Sequence, residues 1–284
     1  MKTILKTTIV FILILSFHAG YTQATWIGNH SNNWSYAPNW NNNAVPNSNT
    51  LVIIMPGATH YPYIQSANAS CKDLIIHDGA SVSVGSYKLT VYNNISINGT
   101  LTMNFSSSQI EVKKDLTIGS GVFKMHNGII WVGGNWTNSA GLGHFMYGTG
   151  RVIFNGTSHQ YIKSSENFNI LEVDKGAALR IDNASYTVIC NKYEWKKGSI
   201  DVIKGTFTAL DLVQNGIFGS YYVNPDATIN LHQDANQYID LNGKLTFTNG
   251  GTINIYGGSG YSYWARGGNA EIYMSGGVLD FKDQ

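Results

Sequence analysis

The chain has 284 residues, with 18 Lys+Arg against 17 Asp+Glu, 43% hydrophobic residues and only 12% charged ones. So even a balance argues against a nucleic acid or an anionic membrane as partner, and so low a charge content leaves Asn, Ser, Thr, Gly and Tyr to make the surface. No Cys/His spacing suits zinc and no G-x-S-x-G, H-E-x-x-H or phosphate-cradling loop occurs, so neither metal nor cofactor is expected.

Residues 1–24 have the layout of a secretory signal peptide: Lys2 and Lys6, then the apolar run Ile9–Leu15, then small and polar residues up to Ala24. The run is too short to span a bilayer, and no later segment approaches that length. Cleavage is expected after Ala24, with cleavage just before Gln23 as the second choice. Loss of Lys2 and Lys6 leaves 16 basic against 17 acidic residues, a mature charge of −1. The predicted location is extracellular or on the cell surface.

Residues 25–65 differ from everything after them. They hold Trp26, Trp34 and Trp40 and four of the chain's five prolines, Pro38, Pro46, Pro56 and Pro62. A stack of strands exposes its first hydrophobic layer and its first open edge, and both need cover. The three tryptophans are therefore read as a structural cap. Sugar stacking on their rings is the competing reading.

The solenoid is assigned to residues 66–284. From Leu74 onward short triplets carry an apolar residue at each end: LII, VSV, LTV, ISI, LTM, IEV, LTI. Apolar–x–apolar is the period of a strand with one buried face, and the Gly, Asn, Asp and Ser between triplets are turn formers. Three intervals sum to about 20–22 residues, one coil of a three-sided parallel stack. The expected fold is all-β, a single elongated parallel β-solenoid, with a right-handed β-helix as the expected hand. Its inward ladder should include Leu74, Ile76, Val82, Val84, Leu89, Val91, Ile95, Ile97, Leu101 and Met103. Cys71 and Cys190 adjoin strand-like runs and are read as buried, unpaired thiols.

Two insertions break the strand rhythm, and loops on rigid scaffolds often carry binding. The first runs from Gly133 to Gly150 with Trp136 and Tyr147. The second runs from Gly257 to Gly268 with Tyr261, Tyr263, Trp264 and Arg266. Their rings could stack on sugar; the competing reading folds them back over the solenoid. For catalysis the best local pair is Glu172 with Asp174, near Arg180 and Asp182, with Glu172 pointing outward if Leu171 and Val173 point in. The bland alternative for that pair is a solvated face.

The strings TWIG…NNWSYAPNWNNNAVPNSNTLVII and ASCKDLIIHDGASVSVGSYKLTVYNNISINGTL resemble the start of many exported proteins of the Bacteroidetes. GRVIFNGTSHQYIKSSENFNILEVDKGAALRI is similar to a repeat-opening unit, F-N-G…Q-x-I…F-x-x-L-x-V, in the same group. The resemblance implies a β-solenoid, export of the type IX secretion kind and a cell-surface setting; it transfers no catalytic residue. Those proteins often end in a sorting domain, whereas this chain stops at GGVLDFKDQ. A last rung over 271–284 with an open edge is therefore expected, in a fragment or in a chain that self-associates there.

Together these readings predict an exported, non-enzymatic surface or matrix protein segment, adhesin-like, that binds glycans through aromatic loops. The alternative is a polysaccharide lyase or glycoside hydrolase built on a β-helix.

Overall fold

The computed structural model describes residues 22–214, 220–224, 227–232, 244–249, 251–256, 271–274 and 278–282. The protein is an all-β parallel solenoid with three faces, and the one helix among the described residues is a single 3₁₀ turn, Ala37–Asn39. Face one stacks Thr22–Thr25, Thr50–Ile54, Asp73–Ile76, Ile95–Ile97, Leu116–Ile118 and Trp136–Asn138. Face two stacks Tyr63–Ile64, Ser81–Val84, Thr100–Met103, Val122–Lys124 and Phe145–Met146. Face three stacks Ala69–Cys71, Lys88–Val91, Gln109–Val112, Ile129–Val132 and Arg151–Phe154, and continues onto residues 170–173.

Register gives the coil length. On face one Val52, Leu74, Ile95, Leu116 and Trp136 stand in one row, so successive coils take 22, 21, 21 and 20 residues. The next step, Trp136 to Ile162, takes 26, because the insertion at 139–149 lies in it. All ten residues of the expected ladder, Leu74 through Met103, are at most 1% exposed. Alternation along each strand puts these side chains inside, and stacking in parallel sets like beside like over the whole core.

The corners between faces three and one are held by a polar ladder. Asp73 Oδ1 accepts from Asn94 N at 3.0 Å, Asn94 Oδ1 from Asp115 N at 3.1 Å, Asp115 Oδ1 from Asn135 N at 2.6 Å, and Asn135 Oδ1 from Tyr161 N at 2.9 Å. Each side chain satisfies the backbone N–H of the coil above, which the turn would otherwise leave bare. Glycine is needed where coils touch most closely: a Cβ on Gly99 would lie 2.3 Å from the carbonyl oxygens of His77 and Ala80.

The strand Glu166–Ala209 runs through 44 residues, with Gly198 and Gly205 at positive φ where the chain bends. It passes from face three (170–173) to face one (179–180) and round again, so its parts pair with five different strands. Beyond it, Ser220–Val223, Lys244–Asn249 and Glu271–Met274 form one parallel row. Ala227–His232, Thr252–Tyr256 and Val278–Lys282 form another. Residues 275–277 and 283–284 of the expected final rung lie outside the described residues.

Beside the first strands the three tryptophans pack together. Trp26, Trp34 and Trp40 are 2%, 1% and 1% exposed and belong to the same continuous core as the ladder. Trp26 and Trp34 each meet Trp40 edge to face at 4.8 Å. Trp26 Nε1 donates to His60 O and Trp40 Nε1 to Trp34 O. Buried Asn39 organises the surrounding loop: it accepts from the amides of His30 and Ser31 and donates to Ser31 Oγ and Asn33 O. Buried and mutually packed, these rings offer no platform to a sugar. Coil stacking already starts at Thr50, inside the segment that the sequence suggests is all cap, because Leu51–Ile54 pair in register with Asp73–Ile76.

Candidate functional site

The two members of the catalytic pair read from the sequence are engaged in separate ion pairs. Leu171 and Val173 are fully buried, so Glu172 does point outward, yet it is only 7% exposed because Arg151 covers it. Arg151 Nη1 bridges Glu172 and Glu194 on consecutive coils, and Nη2 adds a 3.1 Å hydrogen bond to Glu194 Oε1. Burial alone would raise the Glu194 carboxyl, but Arg151, Lys192 and Lys196 outweigh it and hold it below its ordinary value. Asp174 instead faces Lys197 at 3.5 Å. A glycosidase acid needs a raised carboxyl; this cluster lowers one.

The insertion at 133–150 folds back into the core. Trp136, expected to stack on sugar, is fully buried, with its ring 4.7 Å from Phe145 and 5.4 Å from Phe168. A ring enclosed on all sides cannot receive a pyranose, so Trp136 is a core residue. Its indole N–H donates to Glu166 Oε2 at 3.0 Å, beside Asn138 Nδ2 at 2.9 Å. Burial raises the Glu166 carboxyl to about 7 against these donors. Tyr147 is half-buried against Phe145 at 6.2 Å. Tyr261, Tyr263, Trp264 and Arg266 lie outside the described residues.

Among the described tryptophans only Trp131 reaches the outer surface, on face three. It lies between Glu111 and Ile153 in register, and Lys88 Nζ sits 5.4 Å from its ring centroid.

An open concave surface lies on face one. Two adjoining clefts, about 630 and 490 Å³, share His159 and run along the solenoid. Their walls come from successive coils: Asn135, then Tyr161 and Lys163, then Arg180 and Asp182, then Ser199 and Asp201, then Asn224. Tyr161 stands in register with Arg180. Arg180 donates from Nε to Asp201 Oδ2 at 3.1 Å and from Nη1 to the Tyr161 hydroxyl at 3.4 Å. Ser199 Oγ donates to the other oxygen of Asp201 at 2.9 Å. Lys163 Nζ lies 5.9 Å from the Tyr161 ring. Ala178 N donates to His159 Nδ1 at 3.2 Å, which makes that nitrogen an acceptor and leaves Nε2 to carry the proton of the neutral ring. Behind the wall, Lys175 is 1% exposed and donates to Ser158 O at 2.6 Å and Ala178 O at 3.0 Å. Burial lowers its ammonium to about 8.

The sequence singled out Arg180 and Asp182 only as neighbours of Glu172. It passed over Tyr161, Ser199, Asp201, His159 and Lys175. The signal that could find them is their spacing: Tyr161, Arg180 and Asp201 are 19 and 21 residues apart, one coil each.

A family profile described as a domain of unknown function (DUF8693) matches residues 25–130, the tryptophan cap and the first coils. Every residue that lines the face-one cleft, from Asn135 to Asn224, lies beyond that segment. No curated protein and no solved structure matches the chain.

Proposed function

We propose that this chain is an exported surface or matrix protein segment, adhesin-like, which binds glycans without turning them over. One observation carries the reading: an open cleft along a rigid sheet, with a half-buried tyrosine ring beside fixed polar side chains. A ring supplies an apolar face for a pyranose, and a few placed donors and acceptors supply orientation. Export is supported by the leader-like residues 1–24 and by the resemblance to surface solenoids. The enzymatic alternative loses support from its own candidates, since Glu172 and Asp174 are both engaged in ion pairs. No helix among the described residues is long and apolar enough to cross a membrane.

The test is a glycan array run beside an activity screen on plant and animal polysaccharides. Binding that is lost on Tyr161→Ala, with no turnover, is the expected result. Turnover that survives Tyr161→Ala but is lost in Glu172→Gln or Asp174→Asn would overturn the proposal.

A further inference from the structure

We propose that the face-one cleft takes an anionic saccharide chain, one bearing carboxylate or sulfate groups, laid along the solenoid axis over Tyr161 and Arg180. This rests on the glycan-binding reading above and names the class of glycan.

The balance of donors and acceptors carries it. Asp201, the carboxylate at the cleft centre, is 7% exposed, and both its oxygens are engaged, one by Arg180 Nε and one by Ser199 Oγ. Each oxygen thus already holds one donor from within the wall, and little of the carboxylate faces the cleft. Arg180 spends one donor on Asp201 and makes one long contact to the Tyr161 hydroxyl. A guanidinium has five N–H donors in a planar fork, so its Nη edge retains donors in the geometry that suits a carboxylate or sulfate.

Charge points the same way. Lys175 lies at the back of this wall, held by two neutral carbonyl groups, and it senses both Asp201 and Arg180 electrostatically. The cleft centre thus sets Arg180 against one carboxylate, with a second cation, Lys175, buried behind the wall. Burial weakens the Lys175 ammonium more than Asp201 restores it; an anion arriving in the cleft adds the missing compensation. At the other end exposed Lys163 is balanced by exposed Asp182, so selection falls to the centre.

The shape suits a chain rather than a single sugar. Asn135, Tyr161, Arg180, Asp201 and Asn224 come from five successive coils. Adjacent strands lie about 4.8 Å apart, so four steps span about 19 Å, the length of several pyranose units. Tyr161 gives the apolar contact and Arg180 the ionic one a single coil further on.

The experiment titrates the purified chain with three oligosaccharides of matched length: an oligouronate, a sulfated oligosaccharide and a neutral β-glucan. Each is run at low and high salt. At least about tenfold tighter binding of one or both anionic chains than of the neutral one is expected, weakening as salt rises. Arg180→Gln should bring the anionic chains down to the neutral level, and Tyr92→Ala, at an exposed ring on an early coil, should change nothing. If Arg180→Gln loses the β signal in circular dichroism, Arg180→Lys replaces it: charge kept and fork lost, it should lower the preference for the anionic chains. The better of the two anionic chains identifies the group recognised. Equal binding of neutral and anionic chains would refute the charge selection while leaving glycan binding intact. Binding of none would remove both, and anionic preference untouched by either Arg180 variant would place the site elsewhere.

Discussion

Glu166 is a carboxylate inside a hydrophobic stack, and the stability of the fold should register its ionisation. It is 1% exposed, beside Trp136, Asn138 and Asn167. Burial raises it from 4.5 to about 7, because three hydrogen bonds do not replace the water it lost. A carboxyl raised in the fold binds its proton more tightly there than in the unfolded chain. Stability is therefore unaffected by this group below 4.5, falls as pH rises from 4.5 to about 7, and stays lowered above that. The gap corresponds to about 3 kcal/mol at most.

The perturbation is Glu166→Gln, which keeps the shape and cannot ionise. The amide oxygen can still accept from Trp136 and Asn138, whereas the amide nitrogen faces the Asn167 N–H and forfeits that bond, at about 1 kcal/mol. The variant should thus be slightly less stable than the wild type near pH 4.5. By about pH 8.5 the difference should have moved by about 3 kcal/mol in the variant's favour. Urea titrations of both proteins across this range, followed by tryptophan fluorescence, measure it; comparing the two proteins cancels every other titrating group. A stability difference that does not change with pH would show that Glu166 keeps an ordinary pKa, and the burial argument would fail.

Trp40 contacts both other rings of the cap, so Trp40→Ala should destabilise the first coils by about 3–5 kcal/mol, read as a lowered thermal midpoint. Arg151→Gln leaves Glu172 and Glu194 facing each other. Because Glu194 is held low in the fold, the pair's contribution is present above the ordinary carboxylate value and disappears as pH falls through the folded one. The variant should lose about 1–3 kcal/mol at neutral pH by denaturant titration, and the loss should shrink as pH falls below the ordinary carboxylate range. Cys71 and Cys190 are free, fully buried and pushed well above the usual thiol range by burial, so a thiol reagent should label neither until denaturant is added. Ala24 is fully buried and Gln23–Ala24 pair with Leu51–Val52, so an intact-mass measurement of the exported chain should give Gln23 as the first residue. A start at Thr25 would show the strand to be dispensable.

Much of the fold was legible because it repeats. Leu74–Met103 announces its inner face by alternation alone, and coil length follows from adding three triplet intervals. The buried tryptophan cluster is marked differently: rings and prolines crowd the residues before the first alternating run, Thr50–Ile54. What alternation cannot distinguish is an aromatic that points inward from one that faces a ligand. Trp131 and Trp136 are five residues apart on neighbouring strands. One is outside and the other fully buried, because Trp136 takes the row of Leu116 and Trp131 the row of Glu111. Assigning them needs the register across coils, which the chain does not display locally.

The same reason hides the cleft. Its residues are never neighbours in sequence, and Tyr161, Arg180 and Asp201 meet only because 19 and 21 residues each make one turn. A reader extrapolating the 20–22-residue period forward from Leu116 would lose count at the 26-residue coil that carries the 139–149 insertion. Placing rows beyond that coil needs a new anchor, and Gln160 provides one. It is 1% exposed, accepts from Gly156 N at 2.8 Å and donates to Val132 O at 2.8 Å and to Gly134 O. It thereby pins the F-N-G…Q-x-I segment onto the coil beneath and resets the register just before Tyr161. The insertion and its repair stand next to each other, and most of the cleft wall follows the repair. Its first aromatic group is placed by the residue that restores the stack.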